Sequence, residues 1–435
     1  MSDNAQRAAS PRGRLVIGRE DEGTKVAFGI GAVRPAQPQG IVDDTGEGHV
    51  LAIAPTGAGK GRNLILPNLL SYEGPAIIID PKGEAARVSA RRRREMGQTV
   101  IILNPFEGPG RERGALNPLD VLKPDSEDFT SDCLSMARTI TGGMASLKDP
   151  FWDHQAEALI AGLIAYIVEH LPAEHRHLGT LRMMLCEADL AYKLAVILDT
   201  TLKGKGGLAS DEIKNFLGHE GDKVRTSVRS TAQMHMLIYA GAKVQASLSR
   251  STFDLALITS GAPLTIYIVV PPHQLEAYAS LLRVWVATLL TLITRRTEAP
   301  PLPTLFVLDE VAQLGAFPLL KPAVTLLRGY GVRCMLLLQD LAQLRALFRE
   351  DHPTIVNNCA TVMTFGHTSY AMSHELAELF GDVSADELFA MPPGRLAVRC
   401  SGRFTRLVGR LDYLTDSLFT GQFDANPMAA PGPLR

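Results

Sequence analysis

Residues 49–63, HVLAIAPTGAGKGRN, run from a short apolar stretch into a glycine-rich turn carrying a lysine, and LILPNLL continues the chain amphipathically. That order predicts a strand, a tight turn and a helix whose first backbone N–H groups converge on an anion. Gly57, Gly59 and Gly61 let the chain turn, and Lys60 adds a point charge for the outer phosphates of a nucleotide. The candidate ATP-binding set is the whole loop: Pro55, Thr56, Gly57, Ala58, Gly59, Lys60, Gly61 and Arg62. The general phosphate-loop signature is met only in part. Ala54 stands where a first glycine is usual, and Gly61 stands where Ser or Thr would offer magnesium a hydroxyl. The alternative is a strand–turn–helix junction rich in small residues.

A second apolar run, LFVLDE at 305–310, ends in two carboxylates. Open parallel sheets gather ligands at the C-terminal ends of their strands, so this run and the first would present the lysine and both acids to one bound nucleotide. Asp309 would hold magnesium through water, and Glu310 would orient and deprotonate an attacking water. A buried strand ending at an exposed acidic turn is the plainer reading of LFVLDE alone.

Composition limits the remaining options. With 435 residues, 46% of them hydrophobic, the chain can bury two domains. Its cysteines, at 133, 186, 334, 359 and 400, form no CxxC pair, so neither a disulfide framework nor a zinc site is indicated and a cytosolic compartment fits. No apolar stretch is long enough to span a bilayer, because Glu157, Glu169 and Arg283 interrupt the best candidates. A formal net charge of −2 confines any nucleic-acid contact to a local channel or loop.

Strand-like runs at HVLAIA, PAIIID and TVIIL alternate with helical stretches over 62–71 and 83–96, and LTIYIVV, LFVLDE, VRCMLLLQ and TVMTF resume the alternation later. Between them the periodicity is helical, interrupted by the loop GKGGLASDE. The expected organisation is a lead-in arm over 1–45, a nucleotide domain in two parts, 46–124 and 261–420, an inserted all-α domain over 125–260, and a loose tail from 421.

The segments APTGAGKG, IIIDPKGE, NPLD, DPFWDHQAEALI, SLSRSTFDLAL, FVLDEVAQLG, RGYGVRCMLLLQD and NNCATVMTFG occur in one order between Gly40 and Tyr413. In them the chain resembles the TraG-type coupling proteins of type IV secretion and conjugation, in which the lysine is typically followed by glycine. The resemblance implies an α/β fold: a RecA-like P-loop domain with a mostly parallel sheet, interrupted by an all-α domain. It also implies ATP and Mg2+ as cofactors, and a homo-hexameric ring, with a monomer in isolation as the alternative. The cargo would be single-stranded DNA or a relaxase–DNA complex, moved toward type IV secretion channel components. Such proteins usually begin with transmembrane helices and this sequence has none, so the expected location is cytoplasmic, or peripheral at the inner membrane.

In a ring, a neighbour's arginine can neutralise charge on the transferred phosphoryl group, and Arg328 of RGYG is the candidate. Gln339, ending VRCMLLLQ, would contact the γ-phosphate or its water. Asp80 and Lys82 of DPKGE are secondary candidates for phosphate or metal. Arg91–Arg94 form a basic run, either a solvated face or a DNA or lipid contact, and Trp152 is expected to anchor the packing of the two domains. Arg225 and Arg229, one helical turn apart, either line a basic strip or pair locally. Two other functions remain open: a nucleotide-binding substrate adaptor without turnover, and a motor of the HerA or FtsK type on double-stranded DNA.

Overall fold

The computed structural model describes residues 13–20, 40–44, 46, 48–106, 113–142, 150–309, 320–367 and 369–426. Among the described residues, twelve strands form one sheet: β1 (Val16–Arg19), β2 (Ile41–Asp43), β3 (His49–Ile53), β4 (Ala76–Ile79), β5 (Thr99–Leu103), β6 (Arg113–Gly114), β7 (Leu264–Ile268), β8 (Thr304–Leu308), β9 (Val332–Leu338), β10 (Cys359–Thr364), β11 (Arg395–Cys400) and β12 (Arg406–Gly409). Their order is β2-β1-β12-β11-β10-β3-β9-β8-β4-β7-β5-β6. Every pairing from β10 to β6 is parallel, and β11, β12, β1 and β2 continue from β10 as an antiparallel wing.

The central strands β3, β4, β7, β8 and β9 are buried along their whole length, which is why they read in sequence as unbroken apolar runs rather than alternating ones. Their side chains alternate between two faces. Leu51, Ile53, Phe306 and Leu308 join one core with the helix Ala279–Thr294 and the helices between β6 and β7. Val50, Ala52, Leu305 and Val307 join the other, with Leu64–Leu70 and the helix Glu84–Glu95.

Among the described residues, the chain between β6 and β7 holds helices and no strand. Pro150–His170 runs through its middle, packed against Phe129–Thr141, Leu208–Gly218 and Asp222–His235. The stretch read from sequence as the loop GKGGLASDE turns helical at Leu208. The two ends of this insertion are stitched together: Leu116 N–H donates to Ser247 O at 3.0 Å, and Thr252 N–H to Ala115 O at 3.0 Å. Trp285, fully buried, donates its indole N–H to Leu116 O at this junction. Trp152, expected there, is half-buried beside Phe151.

The basic run Arg91–Arg94 is not a uniform solvent face. Arg93 is fully buried, donates to Thr265 Oγ1 and the carbonyls of Tyr72 and Gly74, and has its pKa pushed down to about 10 by burial. Arg91 pairs with Glu95 and Asp424. The start of the expected loose tail is likewise anchored, through Asp424 and through Asn426, which donates to Glu84. Arg225 and Arg229 act locally: Arg225 pairs with Asp222, and Arg229 donates to the carbonyls of Leu185, Glu187 and Ala188 at and just past the C-terminal end of the helix Leu178–Leu185.

Candidate active site

Strand β9 lies between β3 and β8, with Ile53 opposite Leu338 and Leu308 opposite Leu336. Chain leaving the C-terminal ends of these strands therefore emerges along one edge: the glycine-rich loop from β3, Gln339 from β9, Asp309 from β8 and Asp80 from β4. Two strand spacings, about 10 Å, separate the β3 and β8 exits. A triphosphate with its metal fits that span.

The loop is shaped as a cradle. Gly57 and Gly59 take φ of +81° and +97°, which side-chain-bearing residues rarely adopt. No atom lies within 4 Å of a Cβ built on Gly57, so that side of the turn is open. Lys60 is buried and donates from Nζ to Ala54 O at 2.7 Å, a neutral acceptor that an anionic phosphate would outcompete. The following turn, Gly61–Ile65, is π-helical and leads into Leu66–Ser71. Such widened turns concentrate at functional sites. The loop's open turn and its buried ammonium fit a polyphosphate.

Asp309 is half-buried and lies near enough to Asp80 to act on its charge. Asp80 is buried and accepts the Ala86 N–H at 2.8 Å, capping the helix Glu84–Glu95. Burial lifts its pKa to about 6; the N–H groups of Ala86 and Ala85 oppose that shift, and the charges of Asp309 and Glu84 add to it. Lys82 is exposed in the intervening turn. Glu84 borders the cradle, one carboxylate oxygen lying 3.9 Å from a Cβ built on Gly61. Glu310 lies outside the described residues. No group of three or more His, Cys, Asp or Glu side chains among the described residues is arranged to hold a metal by itself.

Gln339 is half-buried, and its backbone N–H donates to Gln343 Oε1 at 2.8 Å. Arg328 is exposed in the 3-10 turn Leu327–Tyr330 that precedes β9, so the seven residues of β9 stand between it and Gln339. That distance is about 20 Å. Its charge is felt instead by His49, at the start of β3. The sequence thus brings Lys60, Asp309, Gln339 and Asp80 to one edge, and leaves Arg328 at the other.

Sequence reasoning missed the flank of the cradle. Arg410 donates to Ala58 O at 2.8 Å, Asn63 donates to Leu411 O at 2.5 Å, and Arg62 forms a two-pronged bond to Asp412 at 2.7 and 2.5 Å. Nothing local in RLD at 410–412 marks such contacts.

The fold and this edge define a RecA-like α/β architecture: a mostly parallel sheet, a glycine-rich loop leaving β3 and a helical insertion. The family described as "Type IV secretory system Conjugative DNA transfer" matches residues 1–387, and the chain belongs to it. Conjugal transfer protein TraG of Escherichia coli is 25% identical over 383 residues, which cover 83% of this chain and 59% of that protein. Protein VirD4 of Rhizobium rhizogenes is 28% identical over 307 residues, covering 69% of this chain and 44% of that protein. The chain thus spans about half the length of these relatives. Among solved structures, the bacterial conjugative coupling protein TrwB in its unbound monoclinic form superposes with a TM-score of 0.63 at 15% identity, over 83% of this chain and 84% of that one. TrwB has also been solved with ADP and Mg2+ and with a non-hydrolysable ATP analogue. No helix among the described residues is long and apolar enough to cross a membrane.

Proposed function

We propose that this chain is an ATP-hydrolysing coupling protein that moves single-stranded DNA, alone or with an attached relaxase, toward a type IV secretion channel. The observation that carries the reading is the convergence of the Lys60 cradle and Asp309 across β9, in a member of the conjugative DNA transfer family. The nucleotide complexes of TrwB support ATP and Mg2+ as the ligands.

The N–H groups of the loop and the ammonium of Lys60 would hold the β- and γ-phosphates. Asp309 would hold Mg2+ through water, since Gly61 offers no hydroxyl; the bound ion neutralises charge on the phosphates. Glu310 would take the proton of the attacking water, and Gln339, between the β3 and β8 exits, would orient that water. Arg328 sits at the far edge of the sheet, so its role belongs to the site of a neighbouring subunit in a homo-hexameric ring. DNA would be gripped through its phosphates, giving low sequence preference and strong salt dependence.

Phosphate release with and without DNA tests the reading. Lys60→Ala and Glu310→Gln should each lower DNA-stimulated turnover by at least about a hundredfold while the melting temperature holds. Robust stimulated turnover in either variant overturns the catalytic assignment. Absence of turnover in the wild type would favour an adaptor, and stimulation by double-stranded DNA alone would favour a HerA- or FtsK-type motor.

A further inference from the structure

Beyond β12 the chain crosses directly beside the phosphate loop, and three successive residues grip it. Arg62 and Asp412 pair through two hydrogen bonds, Asn63 donates to Leu411 O, and one guanidinium nitrogen of Arg410 donates to Ala58 O at 2.8 Å. The crossing lies some 350 residues from the loop in sequence and past residue 387, where the family match ends.

We propose that Arg410 is a positioning residue of the phosphate cradle, holding the Ala58 carbonyl outward so that the Gly59 N–H is aimed at the polyphosphate. A trans peptide is planar, so its C=O and the N–H of the next residue point in opposite directions. Fixing the Ala58 carbonyl therefore fixes the Gly59 N–H, one of the donors on which an anion nest depends. A cationic donor on the carbonyl also polarises the peptide and strengthens that N–H. Gly366, at φ +74°, also packs against Ala58, since a Cβ added there would lie 2.6 Å from the Ala58 Cβ. Ala58 is thus met by two distant segments, the chain leaving β10 at Gly366 and the chain leaving β12 at Arg410.

Arg410 itself is arranged as a cation awaiting an anion. It is 7% exposed, its guanidinium lies 5.4 Å from the centre of the Phe365 ring, and its Nε has no hydrogen-bond partner among the described residues. Burial pushes its pKa down, against the charge of Asp412. Burying a charge so sparsely bonded is costly. Phosphate bound in the adjoining cradle would offset that cost.

This inference rests on the reading of the loop as a nucleotide site. Its test measures binding rather than turnover, by titrating a fluorescent ATP analogue with Mg2+ and competing it with inorganic tripolyphosphate. Arg410→Met keeps the apolar stem over Phe365 and removes the donor. We expect roughly tenfold or greater loss of affinity for both ligands by the same factor, with a smaller loss in Arg410→Lys, which still offers one N–H. Should Arg410→Met fail to fold, Arg410→Gln carries the same expectation. Unchanged affinity in a folded variant overturns the inference, as does a loss confined to the ATP analogue, which would move Arg410 to the nucleoside end. Wild-type protein that binds neither ligand overturns the nucleotide reading and this inference with it.

Discussion

Arg333 and Asp44 pair where water hardly reaches, with side chains 3% and 0% exposed. Arg333 also donates to the carbonyls of Gly48 and Gly13, and Asp44 accepts the N–H groups of Leu15 and Gly46. Removing one partner strands the other charge, so Asp44→Ala should cost about 3–5 kcal/mol in urea unfolding. A loss below about 1 kcal/mol would refute this account of the pair. Two histidines tie stability to pH. Burial lowers His49 to about 4, with the charges of Arg333 and Arg328 adding to it, and burial lowers His367 to about 4. Unfolded histidine titrates near 6.5, so the unfolded chain binds more protons between about 4 and 6.5. Each contribution is whole above about 6.5 and is lost as pH falls through about 4, at roughly 3 kcal/mol each as an upper bound. Asp80 works the other way, because its folded pKa of about 6 exceeds the ordinary 3.8 and its penalty appears as pH rises through that window. Melting temperature should therefore fall from pH 7 to pH 5, and more steeply in Asp80→Asn. Equal slopes in the two proteins would contradict the Asp80 part of the argument.

The insertion depends on a polar stitch between its two ends. Asp120 accepts both the N–H and the hydroxyl of Ser251, at 3.2 and 2.6 Å, and Asn117 donates to Asp120 and to Arg176 O at 2.7 Å each. In Asp120→Ala the freed Ser251 and Asn117 groups should cost about 1–3 kcal/mol and raise hydrogen exchange at 115–121 and 247–257. Tripolyphosphate affinity at the distant cradle should stay unchanged, and protection equal to wild type at both ends would discard the stitch. NPLD and SLSRSTFD were visible in the sequence as family segments, yet nothing in either indicates that they bond to one another. Strands divide the same way. The seven apolar runs read from sequence are β3, β4, β5, β7, β8, β9 and β10, all in the parallel part of the sheet. The missed strands β1, β2, β6, β11 and β12 are short or lie in the antiparallel wing, where one side often faces solvent and the apolar signal is diluted.

For the whole molecule, the sheet sets a geometric condition: Lys60 and Arg328 of one chain stand at opposite edges. In the proposed ring, a head-to-tail neighbour would bring its own Arg328 to the first cradle. Lys60→Ala and Arg328→Ala should each be inactive alone. Mixed in equal amounts before ring assembly, they should regain turnover at about a quarter of the interfaces, where an intact cradle faces an intact arginine. DNA-stimulated phosphate release from the mixture measures this, and no gain over the separate variants would remove Arg328 from the proposed chemistry.

The sequence by itself determined the local elements: buried strands written as apolar runs, a cradle written in Gly57, Gly59 and Lys60, and a carboxylate at the end of β8. Periodicity and glycine placement act over a few residues, so they are readable in one dimension. Tertiary structure alone decided which strand ends share an edge, that Arg328 lies away from it, and that Arg410, Leu411 and Asp412 close around the loop. Those contacts join residues hundreds of positions apart, and a hydrogen bond at that separation leaves no periodic trace in either segment.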